Sequence, residues 1–563
     1  MFAHARKRRG AEWTTMQRGT LYPGGGRMTT AGNFKMALIF AAVIPLIAAQ
    51  SGRGVGSADR AGQSNTLTDE NPQGVWLRRF EPPQRELPIT LIPVGNLFAV
   101  WTPTLGLLKN PVDLPLHLAT RCDVVTRIEP ALYGFSIEYL VTNRKNVAVE
   151  LPVLQLPGNA LQARIQHLDH RRGCTWEILD ATDGELISIR KELYPQSLYA
   201  PSIIMRDTRF AVGLSLEYDI MDYRHQIRAS VFRGASGSSY GDDWTARFFL
   251  DGTIAPGRSR TYRLHVWYNE PGDWIHTLRP YRAFLWSTYG QVRYPQDMRP
   301  VWTSQLSDTL LLSEQNPRGF KANRADLNGF ERDVTEILEF VVPAGYHRVT
   351  IYTPAGVYLE NRHNNFPPQF TTEWTDPMAA TADEWKRLPN SGVNLYFWWG
   401  RSAQVADRWD DDELDWFDTT VKWQAERMML EWDNAIALGA KGLGLDKFTP
   451  LMPWQALDWL DKMRSHKPDA YFMGEPTAYD ILHLHIPTYI LSSDVPSPHY
   501  LADYLAPGRE LWVFLVGGDG SLERARELIS WGHTIMTTTR NFTANDLLDA
   551  IRRAQRGDPY PAP

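Results

Sequence analysis

Apolar and polar residues alternate with the period of β-strands in the first part of the chain. Residues 135–141 alternate in this way, a polar turn follows at 142–146, and 147–151 resume the alternation, which predicts a β-hairpin. Three further runs of this kind lie at 210–216, 246–250 and 261–268. Turns rich in proline and glycine separate the runs, so the pattern predicts an all-β sandwich over 74–272.

The period changes after this region. Leu278, Tyr281 and Leu285 have helical spacing, which predicts a linking helix within 273–298. Short apolar runs then alternate with amphipathic segments, the longest of which predicts a helix over 414–438. The apolar runs lie at 300–306, 347–353, 393–399, 442–446, 470–475, 488–494, 511–516 and 533–538. Strands that alternate with helices form parallel βα units, so the chain is predicted to be multidomain, with a (β/α)8 barrel of the TIM type over 299–556.

The first 50 residues have the pattern of a secretory signal. A basic stretch near the start precedes an apolar run at 36–49, and a polar linker follows over 51–73. The apolar run is short for a membrane-spanning helix, so we expect a secreted, periplasmic or cell-envelope protein, with an uncleaved anchor as the alternative. Three internal methionines are alternative starts: Met16, Met28 and Met36.

The amino-acid composition limits the partners and the kinds of site that are expected for this chain. The net charge is -5, and no basic block follows the signal region, which argues against nucleic acid and anionic membrane surfaces as partners. The chain has 21 Trp and 23 Tyr; most of these rings are expected to fill the core and line domain contacts, and the remainder to stack on sugars. The two cysteines, Cys122 and Cys174, exclude a Cys-rich zinc site and form either one bridge or two buried thiols.

Acidic residues follow the predicted strands of the second half. Asp446 ends strand 4, Glu475 ends strand 5, Asp494 ends strand 6 and Asp519 follows strand 7. The active site of a βα-barrel lies where its strands end. Asp446 and Glu475 are one βα unit apart, on neighbouring strands about 5 Å from each other. That spacing brings within reach the separation of about 5 to 5.5 Å found in retaining glycosidases. A helix cap or an ion-pair partner is the alternative role for each acid.

Other candidates flank these acids. Trp398 and Trp399 end strand 3 beside Arg401, and alternation sends one indole outward into packing and leaves the other as a sugar platform. Lys447 directly follows Asp446, where it either binds a substrate oxygen or remains solvated. Asp519 lies in a glycine-rich segment, which indicates a turn as well as a substrate contact.

Metal and cofactor signals are weak. His483 and His485 are separated by one residue and His499 lies downstream, but Ile486 and Pro487 favour a loop, where the two rings do not point the same way. Glycine-rich nucleotide motifs and the serine elbow are missing from the sequence. We therefore expect no metal and no cofactor.

Two short segments resemble known families. The segment 442–446 resembles the strand 4 nucleophile segment of retaining α-acting glycoside hydrolases: the α-amylase clan, the endo-α-N-acetylgalactosaminidase family and the α-galactosidase clan. The segment 473–475 resembles the Gly-Glu that ends strand 5 in the first two groups. The resemblance implies that Asp446 is the nucleophile and Glu475 the acid/base, or Asp494 in the α-galactosidase pattern. Gly444 stands where the amylases have arginine, a departure from that family proper.

Together these features predict an exported retaining glycosidase that acts on α-linked oligo- or polysaccharides. One alternative is a non-catalytic glycan-binding or envelope scaffold that keeps the barrel. Another is a barrel enzyme of different chemistry, such as a metal-dependent hydrolase or a polysaccharide lyase.

Overall fold

The computed structural model describes most of the chain between residues 83 and 555. The described residues are 83, 86–94, 97–109, 117–118, 121–159, 164–167, 177–180, 189–206, 208–219, 225–233, 244–306, 313–314, 327–352, 381–399, 402, 404–405, 415–446, 448–449, 451–475, 478–495, 498–515 and 520–555. The predicted signal and linker lie outside this part, as do Cys174, Arg401, Lys447 and Asp519. Within it, no helix has the length and apolarity needed to cross a bilayer.

Two antiparallel five-stranded sheets form the sandwich, as the sequence predicts. In sheet order, the first contains Ser202–Arg206, Ala211–Leu216, Ser259–Asn269, Gly134–Thr142 and Asp123–Ala131. The second contains Ile189–Tyr194, Ile227–Arg233, Trp244–Leu250, Val153–Asn159 and His117–Leu118. Alternation along Gly134–Thr142 buries Phe135, Ile137, Tyr139 and Val141, which share one core with Leu154 and Phe248 of the second sheet.

Shorter antiparallel pairings complete this region. They are the three-stranded sheet Thr90–Val94, Leu97–Thr102 and Gly106–Lys109, the pair Arg164–His167 with Glu177–Asp180, and the pair Val149–Glu150 with Thr253–Ile254.

The predicted hairpin between 135–141 and 147–151 is wrong. Gly134–Thr142 pairs instead with Asp123–Ala131 and Ser259–Asn269. The Asn143 side chain donates to the backbone oxygens of Val147 (2.8 Å) and Ile254 (2.9 Å), which turns the chain away from the preceding strand. Alternation identified the strands but not their partners.

A linking helix follows the sandwich, shorter than the predicted segment. A 3₁₀ turn at Pro271–Leu278 leads into α1 at Arg279–Tyr289, which buries Tyr281 and Leu285. The helix ends at Gly290, whose φ of 85° lies in the region that glycine adopts without strain.

Eight parallel strands form a closed barrel, and each coincides with one of the predicted apolar runs. They are β1 (Val301–Gln305), β2 (Arg348–Tyr352), β3 (Asn394–Trp399), β4 (Gly442–Leu445), β5 (Tyr471–Gly474), β6 (Thr488–Leu491), β7 (Leu511–Leu515) and β8 (Thr534–Thr537). β8 pairs with β1 and closes the ring.

Helices separate these strands along the chain. They are α2 (Leu327–Glu336), which continues as the π-helix Ile337–Val341, then α3 (Ala382–Asn390), α4 (Lys422–Ala437), α5 (Pro453–His466), α6 (Asp480–His483), α7 (Tyr500–Leu505), α8 (Leu522–Ser530) and α9 (Asn545–Gln555). Local interactions fix where two of these helices begin. Proline is the first residue of α5, and the Ser521 side chain accepts a hydrogen bond from the Arg524 backbone nitrogen at the start of α8.

The predicted helix over 414–438 is wrong in its first part. Asp415–Trp416 is a strand that pairs with Gln404–Val405, and α4 begins only at Lys422. Between them, Asp418 Oδ1 accepts hydrogen bonds from the Thr420 backbone (2.8 Å) and hydroxyl (2.7 Å). Such local bonds compete with the helical backbone pattern and delay the helix.

A buried ion cluster lies at the amino end of the barrel. Arg348, the first residue of β2, is fully buried and pairs with Glu510 at 3.0 Å. Its guanidinium also donates to the backbone oxygen of Asp297 and to the Tyr471 hydroxyl (3.2 Å), and it lies 4.4 Å from the centre of the Trp512 ring. At this end of the barrel, the buried charges of Arg348 and Glu510 therefore form an ion pair and neutralise each other.

Candidate active site

Asp446 and Glu475 lie next to each other at the carboxyl end of the barrel. The Asp446 backbone nitrogen donates to the Trp399 oxygen (3.0 Å), and the Glu475 nitrogen donates to the Leu445 oxygen (2.9 Å). These bonds extend the parallel ladders one residue past β4 and β5. Both acids are therefore held by the rigid sheet rather than by loops.

The side chains of both acids point into the barrel. Residues two apart on a strand share a face. A Cβ added to Gly444 would lie 2.3 Å from the Trp398 ring in the barrel interior, and Met473 belongs to the same interior cluster. Asp446 and Glu475 follow these two residues at that spacing. Only a glycine fits at 444, because Trp398 lies against its backbone.

Four aromatic residues from four strands lie beneath the acids, and we call them the aromatic floor: Tyr352, Trp398, Tyr489 and Phe514. Tyr352 stacks on Trp398 with ring centres 4.4 Å apart, and Tyr489 meets the edge of Trp398 at 5.1 Å. Phe514 lies 6.4 Å from Tyr352 and 6.3 Å from Tyr489. The floor closes the interior, where the layers of many barrels consist of aliphatic residues.

The charge of both acids reaches this floor. Burial raises the pKa of Tyr352 and of Tyr489 well above the ordinary value, and the carboxylates of Glu475 and Asp446 raise both further. Coulomb interactions fall with distance, so both acids lie close to both phenols. The structure thus brings Asp446 and Glu475 together over one aromatic surface.

Asp494 approaches the same region from the neighbouring strand. It ends the 3₁₀ turn Ser492–Asp494 after β6, and its side chain is exposed. Its charge also raises the pKa of Tyr489, after the larger effects of burial, Glu475 and Asp446. Arg524 holds this turn by donating to the backbone oxygens of Ser492 (3.1 Å) and Val495. The three predicted acids therefore share one rim but differ in burial, since Asp446 is only 7% exposed and Glu475 is half-buried.

The other predicted contacts have different placements. Trp399 points out of the barrel and packs on Trp459 of α5 at 5.8 Å, so the alternation within the Trp pair is as expected. Trp398 alone of the pair lies in the interior, and it is 1% exposed. Sugar stacking by either residue stays a prediction, as do roles for Arg401, Lys447 and Asp519.

The histidine pair belongs to the packing between sandwich and barrel. His483 ends α6, not a loop, and its Nδ1 and Nε2 lie 3.0 Å from the Tyr199 hydroxyl and 2.7 Å from the Thr488 hydroxyl. Burial, with Arg293 and Arg464, lowers the pKa of His485 to about 3. The described part of the chain contains no group of three or more potential ligands placed to hold a metal.

Sequence reasoning missed several residues of this site. Ser402 is buried and donates from its backbone nitrogen (2.8 Å) and hydroxyl (2.9 Å) to the backbone oxygen of Asp446, which ties the segment after β3 to the acid. Tyr352, Tyr489 and Phe514 were also missed, because an aromatic residue within an apolar run looks like core. For Tyr489 and Phe514, the signal is their inward period on strands that an acid follows in the sequence, whereas Tyr352 has no such signal.

Comparison with known proteins gives remote similarities only. No protein-family model matches the chain, and no curated protein matches it. Among solved structures, it is similar to GH36 α-galactosidase AgaB from Geobacillus stearothermophilus, with 10% identity over 86% of this chain and 71% of that one, at a TM-score of 0.46. It is also similar to α-N-acetylgalactosaminidase NagBb from Bifidobacterium bifidum (10% identity, 86% and 87% covered, TM-score 0.48). A third similar structure is the α-galactosidase TtGalA from Thermus thermophilus, with 12% identity over 82% of this chain and 98% of that one, at a TM-score of 0.41.

These three proteins are glycosidases by name, and α-galactosidases are among the groups that the strand 4 segment resembles. At such identities and TM-scores, the similarity carries no conclusion about the activity of this chain.

Proposed function

We propose that the protein is a retaining glycoside hydrolase that acts on α-linked sugars, with Asp446 as nucleophile and Glu475 as general acid/base. The observation that carries the proposal is the pair of inward-facing carboxyls on neighbouring strands, above an aromatic floor, at the carboxyl end of a closed barrel. Two carboxyls so placed suit glycosyl transfer through a covalent intermediate. The preference for α-linkages rests on the resemblance of the segment 442–446.

In the first step, Asp446 attacks the anomeric carbon while Glu475 gives its proton to the leaving oxygen, which departs as the alcohol. In the second step, Glu475 takes a proton from water as that water attacks the same carbon and releases Asp446. Two inversions restore the original anomeric configuration.

Burial favours Glu475 over Asp494 as the acid. Glu475 is half-buried and follows β5 at the inward spacing set by Met473, whereas Asp494 is exposed in the turn after β6. Glu475 is therefore the better placed of the two to give a proton to a substrate held at the end of the barrel. We also propose that the protein acts outside the cytoplasm, as the segment 36–49 predicts; detection of a processed form in the exported fraction tests this.

The test of the activity is a panel of aryl α- and β-glycosides and polysaccharides offered to the purified protein, with the first-formed anomer followed by NMR. We expect turnover of an α-glycoside with retention, lost on Asp446→Asn. Asp469→Asn, an exposed acid at the amino end of β5, is the matched control and should keep full turnover. Absence of turnover across the panel, with sugar binding retained, favours the scaffold alternative.

A further inference from the structure

The sandwich holds the short connection between β5 and β6. This connection contains α6, and the residues 478–490 are all buried. The Tyr194 hydroxyl of the sandwich donates to the Asp480 carboxyl (2.7 Å), and the Asp480 backbone nitrogen donates to the Tyr199 backbone oxygen (2.9 Å). Two tyrosines from outside the barrel therefore fix the first residue of α6.

Tyr199 also reaches β6 through two buried hydrogen bonds. Its hydroxyl lies 3.0 Å from His483 Nδ1, and His483 Nε2 lies 2.7 Å from the hydroxyl of Thr488, the first residue of β6. All three residues are fully buried. Both ring nitrogens of the imidazole are engaged, so its orientation is fixed from two sides. We call Tyr199, His483 and Thr488 the Tyr199 network.

The network ends next to the residue that precedes Glu475. Thr488 is the register partner of Gly474, the last residue of β5, and the Gly474 backbone nitrogen donates to the Pro487 oxygen (3.0 Å). Among the described residues this is the one register pair that joins β5 to β6, whereas β4 and β5 share four. A pairing this short has little rigidity of its own, so the contacts that hold Thr488 also hold the backbone that carries Glu475.

We propose that Tyr199 is a positioning residue for Glu475, which acts through His483 and Thr488 across the pairing of β5 with β6. The inference deepens the proposed function and rests on it for the role of Glu475. A general acid transfers its proton only within hydrogen-bond reach of the leaving oxygen, and a misplacement of about 1 Å is enough to cost about 10²-fold in rate. The sandwich is thereby part of the scaffold that holds the acid in place.

The first test compares wild type with Tyr199→Phe on two α-glycosides that differ in their leaving group. We expect kcat/KM to fall about tenfold for a poor leaving group and less than about twofold for an activated aryl group, because only the former needs the proton of Glu475. Tyr139→Phe is the matched control: it removes a buried sandwich hydroxyl that has no hydrogen-bond partner among the described residues, and it should leave both values unchanged. An equal loss on both substrates contradicts the proposal, since a smaller folded fraction has that effect.

The other end of the network gives a second comparison. Thr488→Val removes the hydroxyl at nearly constant volume and should repeat the selective loss. Thr488→Ser keeps the hydroxyl and should restore the wild-type ratio of the two kcat/KM values. Equal ratios in the two variants contradict a role for this hydrogen bond.

A third readout does not depend on turnover. Hydrogen exchange with mass spectrometry follows the peptide that contains Gly474, whose amide is bonded to Pro487, and the peptide that contains Asp446 on the neighbouring strand. We expect exchange at Gly474 to be about tenfold faster in Tyr199→Phe, with the Asp446 peptide unchanged. This result supports the inference even if no glycoside is cleaved, in which case only the proposed function fails. Unchanged exchange at Gly474 in a folded Tyr199→Phe protein overturns it.

Discussion

The two ends of the barrel both hold buried acids, but they surround them differently. At the amino end, burial raises the pKa of Glu510, and Arg348 opposes that rise from 3.0 Å. Burial also acts to raise the pKa of Asp297, but Arg348 and Arg299 together lower it below the ordinary value. At the carboxyl end, Asp446 and Glu475 act on two neutral phenols instead.

Under the proposed function, this difference separates the residues that stabilise the barrel from those that act on the substrate. Charges that neutralise each other in a buried cluster are costly to break, and the side chains of Arg348 and Glu510 already form hydrogen bonds within the cluster. In the proposed function, Asp446 and Glu475 lie instead at the end of the barrel where active sites are found, and they remain available to a substrate. Substitutions at the two ends should therefore affect different properties.

The largest expected effect is on turnover at the carboxyl end. Glu475→Gln removes the acid/base and should lower kcat about 10²- to 10⁴-fold for a poor leaving group, with less loss for an activated aryl glycoside. Asp494→Asn is the matched control and should lose less than about tenfold, because an exposed carboxyl is not the proton donor. Steady-state kinetics with both substrates measure this; the reverse ranking assigns the acid/base role to Asp494.

The next effect is on stability at the amino end. Arg348→Met leaves Glu510 buried without its cation and should lower the free energy of unfolding by about 3 to 5 kcal/mol. Denaturant unfolding measures the loss. Turnover per folded molecule should stay within about twofold of wild type, a change too small to indicate a role in chemistry. A large loss of kcat in a folded variant contradicts the division between the two ends.

A third buried acid sharpens the comparison, because its partners are phenols and it lies between sandwich and barrel. Asp480 accepts hydrogen bonds from the hydroxyls of Tyr194 (2.7 Å) and Tyr281 (2.5 Å), and burial raises its pKa from 3.8 to about 6. The folded state thus binds this proton more tightly than the unfolded state. Its contribution to stability is full below pH 3.8 and is lost as the pH rises through 6.

Asp480→Asn should remove that dependence. Between about pH 3 and 7, the difference in unfolding free energy between wild type and variant should change by about 3 kcal/mol, or 1.36 kcal/mol for each pKa unit. Denaturant unfolding across this window measures it. A flat difference for Asp480→Asn shows that the pKa of Asp480 is not raised.

The smallest effect concerns the contact beneath Asp446. Gly444→Ala places a Cβ against the Trp398 ring and should destabilise the protein by about 1 to 3 kcal/mol. Turnover should fall as well, because Asp446 follows two residues later on the same strand. Gly272→Ala is the control, because a Cβ at that position meets open space. Gly392→Ala is unsuitable, because its φ of 79° is strained for alanine. Equal stability of Gly444→Ala and Gly272→Ala contradicts the close contact.

The sequence predicts the barrel well because each strand is an apolar run bounded by turns, and acids such as Asp446 mark where strands end. It predicts pairing poorly. Gly134–Thr142 has the correct alternation, yet it pairs with the strand before it, Asp123–Ala131, and with the distant Ser259–Asn269, not with the segment that follows it. The sequence does not predict the aromatic floor, for a related reason. Tyr352 and Tyr489 lie 137 residues apart in the chain and join the same floor only when the barrel closes. Local pattern specifies a strand and its faces, while closure specifies which faces meet.

The most direct test of the account is to trap the covalent intermediate. A fluorinated, activated α-glycoside of the sugar that the protein turns over slows breakdown of the glycosyl-enzyme, and digestion with mass spectrometry locates the bound sugar. The account predicts one sugar per protein, on the peptide that carries Asp446, and none on Asp446→Asn. A sugar attached to Glu475 or Asp494 instead, or turnover with inversion and no adduct, contradicts it.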